Sequence, residues 1–195
     1  ETGLQQIDSI TRGQLMNQTP LITGSSGGMI GASFYRELYS RRASMDCYNP
    51  AYQDSLSRDM LNPVALSIAT NDIFIRYQYF KDGNYTYPKD RAYAFERSLN
   101  RNTLGILNKR LEDYYYPEWS SQIPMMVFSP TIVNDGRRML ISSQPINYLC
   151  NNSPNMSLTN KPIVENVEFG KLFKDQDAQN VKFSSVLRMN ATFPY

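Results

Sequence analysis

Apolar residues change their period several times along this chain, and each change marks an element. Over residues 4–16, Leu4, Ile7 and Ile10 recur at helical spacing, with Leu15 on a second turn beyond Gly13, which predicts a short amphipathic helix. Thr19-Pro20-Leu21-Ile22-Thr23 then reads as a strand that stops at Gly24-Ser25-Ser26-Gly27-Gly28. Helical spacing resumes within two positions. It places Ile30, Phe34 and Leu38 inward and Arg36, Glu37, Ser40 and Arg41 outward. Arg41-Arg42 then falls near the helix C-terminus, where positive charge complements the dipole.

Asn49-Pro50 and Asn62-Pro63 each predict a helix start, with proline in the first turn. The second helix, residues 63–77, carries Val64, Leu66, Ile68, Ile73 and Phe74 on more than one face and reads as largely buried. Phe80-Lys81-Asp82-Gly83-Asn84 is a turn signal, and Pro88 closes that loop. A long helix is expected over residues 90–113, with Asp90 as N-cap, Ala92, Phe95, Leu99 and Ile106 inward, and Arg91, Arg97, Arg101, Lys109 and Arg110 on its outer face. Strand-like runs at residues 125–133 and 137–141 flank Asn134-Asp135-Gly136, a strong hairpin signal. Residues 151–162, rich in Asn, Ser and Pro, read as a surface loop, and Ser184-Ser185 caps a short final helix through Met189.

Composition narrows the function classes. A chain of 195 residues suffices for one core-bearing domain, residues 1–195, and its 41% hydrophobic and 19% charged residues are those of a globular protein. The net charge of +2 gives no reason to expect nucleic acid as a partner. Histidine is absent and there are two cysteines, so a transition-metal site is not expected. A single bridge between Cys47 and Cys150 stays an open alternative. No signal-peptide pattern and no apolar run long enough to span a bilayer occurs, which leaves compartment open and peripheral membrane contact as the available mode.

The glycine-rich turn carries the candidate chemistry. Gly24-Ser25-Ser26-Gly27-Gly28 fits Gly-x-Ser-x-Gly, in which a serine sits at the bend between strand and helix, and Ser26 is therefore the candidate nucleophile. Gly24, Gly27 and Gly28 form the turn, and backbone N–H groups at the helix start are placed to hold an oxyanion. Two other readings compete: a tight turn without chemistry, and a dinucleotide-binding turn of dehydrogenase type. The latter needs a third glycine where Ile30 stands, and Gly31 comes one residue late. Without histidine a Ser-His-Asp triad cannot be assembled, which leaves a serine served by a carboxylate.

Residues 20–42, with the turn running into Met29-Ile30-Gly31-Ala32-Ser33-Phe34-Tyr35, resemble the nucleophile turn and helix of the patatin-like phospholipases. Residues 125–142 resemble that family's central strand, turn and returning strand, and residues 185–194 resemble the segment ahead of its aspartate motif. The resemblance implies a three-layer α/β fold, a central sheet flanked by helices. It also implies a Ser-Asp dyad acting on lipid or other acyl esters, with no cofactor. The family's oxyanion glycine loop and its catalytic Asp-Gly motif are not found within the chain, so the expectation is a partial domain whose aspartate follows Tyr195. Asp135 is the alternative base, although its setting reads as a hairpin turn. A non-catalytic scaffold or membrane-associated module of the same fold is the second functional reading. Tyr114-Tyr115-Tyr116-Pro117-Glu118-Trp119 supplies amphipathic aromatics suited either to lipid contact or to ordinary packing.

Overall fold

The computed structural model describes residues 2–72, 78–150 and 165–191. In chain order its helices and strands are α1 (Thr2–Ile10), α2 (Leu15–Gln18), β1 (Leu21–Gly24), α3 (Ser26–Ser40), α4 (Ala51–Leu56), α5 (Leu61–Ser67), β2 (Tyr79–Asp82), β3 (Tyr85–Pro88), α6 (Arg91–Asn102), α7 (Tyr115–Trp119), β4 (Met125–Phe128), β5 (Arg138–Leu140), β6 (Asn166–Glu168), α8 (Phe169–Leu172) and α9 (Phe183–Ala191). They form two compact units, one of residues 1–48 and 109–195, the other of residues 49–108. The class is α/β, with two-stranded sheets among the described residues.

In the first unit β1 pairs in parallel with β4, Leu21 opposite Met125 and Gly24 opposite Phe128. β5 pairs in parallel with β6. Single antiparallel bridges, Phe128 to Ile141 and Thr131 to Arg138, close β4 and β5 into the expected hairpin. Gly136 takes φ 76° at its tip, a conformation glycine adopts without steric cost.

α3 is the core of this unit. Every residue from Met29 to Tyr39 is buried, including Arg36 and Glu37, which the helical period had placed outward. Buried charges survive only with partners. Arg36 Nη1 pairs with the Glu118 carboxylate, donates to the Pro124 carbonyl at 2.9 Å, and its guanidinium lies 4.4 Å from the centre of the Tyr114 ring. Glu37 meets Lys109 at 2.8 Å. The period counts polarity, and it cannot anticipate that an anion and a cation elsewhere in the chain will meet the second face.

Two predicted helices end early for one reason. α1 stops where Arg12 and Gly13 turn left-handed, and Gly13 N–H donates back to the Asp8 carbonyl at 2.8 Å. α6 stops at Asn102, eleven residues before the expected end, where Leu104 and Gly105 have φ 55° and 72°. Gly105 N–H reaches the Asn100 carbonyl at 2.7 Å and Leu104 N–H the Arg101 carbonyl at 3.1 Å, the paired bonds of a helix end with Leu104 in the left-handed position and glycine after it. Lys109 and Arg110 therefore do not extend the α6 face. The N-cap at Asp90 is as expected, its carboxylate accepting from Tyr93 N–H at 3.1 Å.

The second unit contains α4, α5, the β2–β3 hairpin and α6. Its expected buried helix is shorter and more open. α5 gives way to a π-helical turn at Ile68–Asp72, and Leu61 and Leu66 are 74% and 65% exposed. A two-turn helix packed on α6 covers one face only, so apolar residues on its other faces stay in solvent. Residues 73–77 and the predicted loop 151–162 lie outside the described residues.

Candidate functional site around Ser26

The site grows from the end of β1. Ser25 is extended, with φ −134° and ψ 160°, and Ser26 then opens α3 with φ 54°. Side chains in the left-handed region crowd the following carbonyl, at a cost of about 1–2 kcal/mol for a residue other than glycine. Among the described residues four other non-glycines share this conformation, Arg12, Leu104, Ser121 and Asp177, and each closes a helix or a helical turn. Left-handed residues are common there. Ser26 has it at a helix start.

The glycines around it play unequal parts. A Cβ on Gly24 would meet Met29 Sδ at 3.3 Å, so this glycine lets the Met29 thioether lie against the strand end. Gly27 and Gly28 lie outside the left-handed region, and a Cβ on either would point into open space. Neither backbone conformation nor packing requires them. Their effect is to leave the first N–H groups of α3 uncovered beside Ser26, where unpaired donors and the helix dipole favour negative charge.

A cavity of about 310 Å³ adjoins this turn, at the small end of the range for ligand pockets. Leu4, Leu15 and Met16 form one wall, Ile22, Met29 and Ala32 another, and Gly24, Ser25 and Gly28 lie at its margin. The first wall is held by a buried carboxylate. Asp8 accepts from Leu15 N–H at 2.9 Å, from the Tyr35 hydroxyl at 2.6 Å and from the Tyr48 hydroxyl at 2.9 Å, which ties α1 and α2 to α3. Burial and the neighbouring Asp8 carboxylate push the Tyr48 phenol up to about 12.

Asn190, which the sequence reading did not single out, braces the other side. From α9 its amide donates to the Gly24 carbonyl at 3.4 Å and accepts from Ser129 N–H at 3.2 Å, joining the ends of β1 and β4. The signal lay in the pattern: Phe183, Val186, Leu187 and Asn190 share one helical face, and a lone amide on such a face needs partners there.

Ser26 is exposed and, among the described residues, its hydroxyl makes no hydrogen bond. Asp135 sits in the hairpin turn with its carboxylate already engaged. It accepts from Arg137 N–H at 3.0 Å and Arg137 Nε at 2.7 Å, and these bonds hold its pKa below the usual carboxylate range. Cys47 and Cys150 are both free thiols. Tyr115, Tyr116 and Trp119 are 47%, 62% and 66% exposed, whereas Tyr114 is buried. No described helix is long and apolar enough to cross a membrane. No protein-family model, curated protein or solved structure matches the chain.

Proposed function

We propose that Ser26 is the nucleophile of a serine acyl hydrolase of patatin-like type, acting on acyl esters of lipids within a three-layer α/β fold. The observation that carries this reading is the left-handed Ser26 at the start of α3, where glycine would be unstrained, followed by two glycines that the fold does not require. Strain of this kind is kept where it aims a side chain. A serine at such a strand-to-helix bend presents its hydroxyl clear of the sheet, beside uncovered N–H donors.

In the proposed chemistry Ser26 Oγ attacks the ester carbonyl while a carboxylate takes its proton. The carbonyl oxygen gains charge and is held by the N–H groups after Ser26, with Gly27 the nearest. The alcohol then leaves with a proton, an acyl-serine forms, and water hydrolyses it to the free acid. The 310 Å³ cavity with its Leu, Ile and Met walls suits the apolar part of the substrate. The base is assigned to an aspartate other than Asp135, because Arg137 occupies that carboxylate.

A second reading, a scaffold with an idle serine, draws on the lack of any hydrogen-bonding partner for Ser26 among the described residues. A fluorophosphonate probe on the longest natural form of the protein, followed by peptide mapping, separates the two. Labelling at Ser26 that disappears in Ser26→Ala is expected; a folded sample that stays unlabelled overturns the hydrolase reading.

A further inference from the structure

The second unit holds a groove that no part of the proposed chemistry uses. Two cavities, of about 690 Å³ and 470 Å³, share Pro63, Leu66 and Arg101 and so adjoin one another along α5 and α6. Arg58 lines one end and Arg97 the other, with Arg97 and Arg101 one turn apart on α6. The placement is built from below. Asn102, fully buried, donates to the Arg58 carbonyl at 2.8 Å and accepts the Ser55 hydroxyl on its own carbonyl at 2.7 Å, which fixes the turn after α4 against α6.

Among the described residues the guanidinium groups of Arg58, Arg97 and Arg101 make no ion pair, and all three are exposed. The two carboxylates that line the groove serve as caps: Asp59 accepts from Leu61 and Asn62 N–H at 2.8 and 3.2 Å, and Asp90 caps α6. The three arginines outnumber the two carboxylates, and both carboxylates are already engaged as caps. Like charges one helical turn apart repel, so Arg97 and Arg101 together favour an anion. Leu66, which lines both cavities with Arg101, is 65% exposed, and Leu61 on the same helix is 74% exposed. Guanidinium groups next to exposed aliphatic side chains match a surface that carries phosphates over hydrocarbon. A nucleic acid would supply the phosphates but would leave the leucines uncovered.

We propose that this groove docks on an anionic bilayer surface, with Arg58, Arg97 and Arg101 taking phospholipid phosphates and Leu61 and Leu66 entering the interfacial layer. The face lies within the second unit and stands whether or not Ser26 is a nucleophile. The test is flotation of the full chain with vesicles of phosphatidylcholine alone and of phosphatidylcholine with an equal part of phosphatidylglycerol. Adding the anionic lipid is expected to raise binding, and salt to reverse the gain. Arg97→Gln with Arg101→Gln should lower the anionic partition coefficient by about 30-fold, each arginine near the surface being worth roughly fivefold. The same variant should keep its melting temperature and its fluorophosphonate labelling. Leu66→Ser should weaken anionic binding without altering its salt dependence. No gain with phosphatidylglycerol, or a gain that the double variant retains, overturns the proposal. Displacement of the vesicles by an oligonucleotide that binds through the same arginines would also overturn it and assign the groove to nucleic acid.

Discussion

Two glycine-bearing turns in the first unit distribute strain in opposite ways. In the 134–136 turn the left-handed residue is Gly136, and the acid before it is neutralised by Arg137 two residues on. Each residue there does what its local chemistry favours. In the 24–28 turn the left-handed residue is Ser26, while Gly27 and Gly28 occupy helical positions that alanine would fill at lower cost. The first turn is explained by the chain reversal alone. The second is not, and the unexplained part is the placement of a hydroxyl and of open N–H groups. The ion pairs nearby repeat the contrast: Asp135–Arg137 is exposed, whereas Arg36–Glu118, which anchors α3, is buried.

That contrast is open to breaking at several points. Removing one partner of the buried pair should have the largest effect. Arg36→Ala leaves the buried Glu118 without its counter-ion, and a chemical-denaturation series should show a loss of about 3–5 kcal/mol. Ser26→Gly should come next and in the opposite direction. It relieves the left-handed strain, so stability should rise by up to about 1 kcal/mol while probe labelling vanishes. A Ser26→Gly protein less stable than the parent would show that the serine side chain contributes packing rather than strain. Gly28→Ala should add about 0.5 kcal/mol, because its Cβ meets open space, and should slow labelling by narrowing access to the N–H groups. Asp135→Asn should leave both the melting temperature and the labelling unchanged, as an exposed pair in a turn contributes little.

Alkaline pH probes the wall of the cavity. The Tyr48 phenol is raised from 10.0 to about 12, so the folded state favours its neutral form. Its contribution to stability is complete below pH 10, and it falls as pH rises toward 12, where the phenol ionises in both states. Thermal melts across that window should show the decline, with a smaller one in Asp8→Asn, which removes the carboxylate that opposes ionisation. Tyr48 is 41% exposed, so solvent screening keeps the effect modest.

Local chemistry made several features legible in the sequence. Strand, serine turn and helix at residues 20–40, the Asp90 cap and the hairpin turn at Asn134-Asp135-Gly136 rest on interactions within a few residues, which the sequence carries in full. The α1 and α6 ends were in principle equally local, since the left-handed pairs Arg12-Gly13 and Leu104-Gly105 terminate them. There the apolar period continues past the glycine, and it overrode the stop signal in the reading.

Tertiary structure alone decided the rest. Whether Arg36 and Glu37 face solvent depends on Glu118 and Lys109, residues more than seventy positions away. Whether Leu66 is core or surface depends on what covers a two-turn helix, and the packing on α6 leaves it outside. Asn190 became part of the site only because α9 lies across the ends of β1 and β4. The physical reason is the same in each case. Hydrogen-bonded turns and caps close over three to five residues, so composition and order determine them; burial and charge pairing are settled between elements, and a one-dimensional pattern records which residues need partners but not which partners they meet.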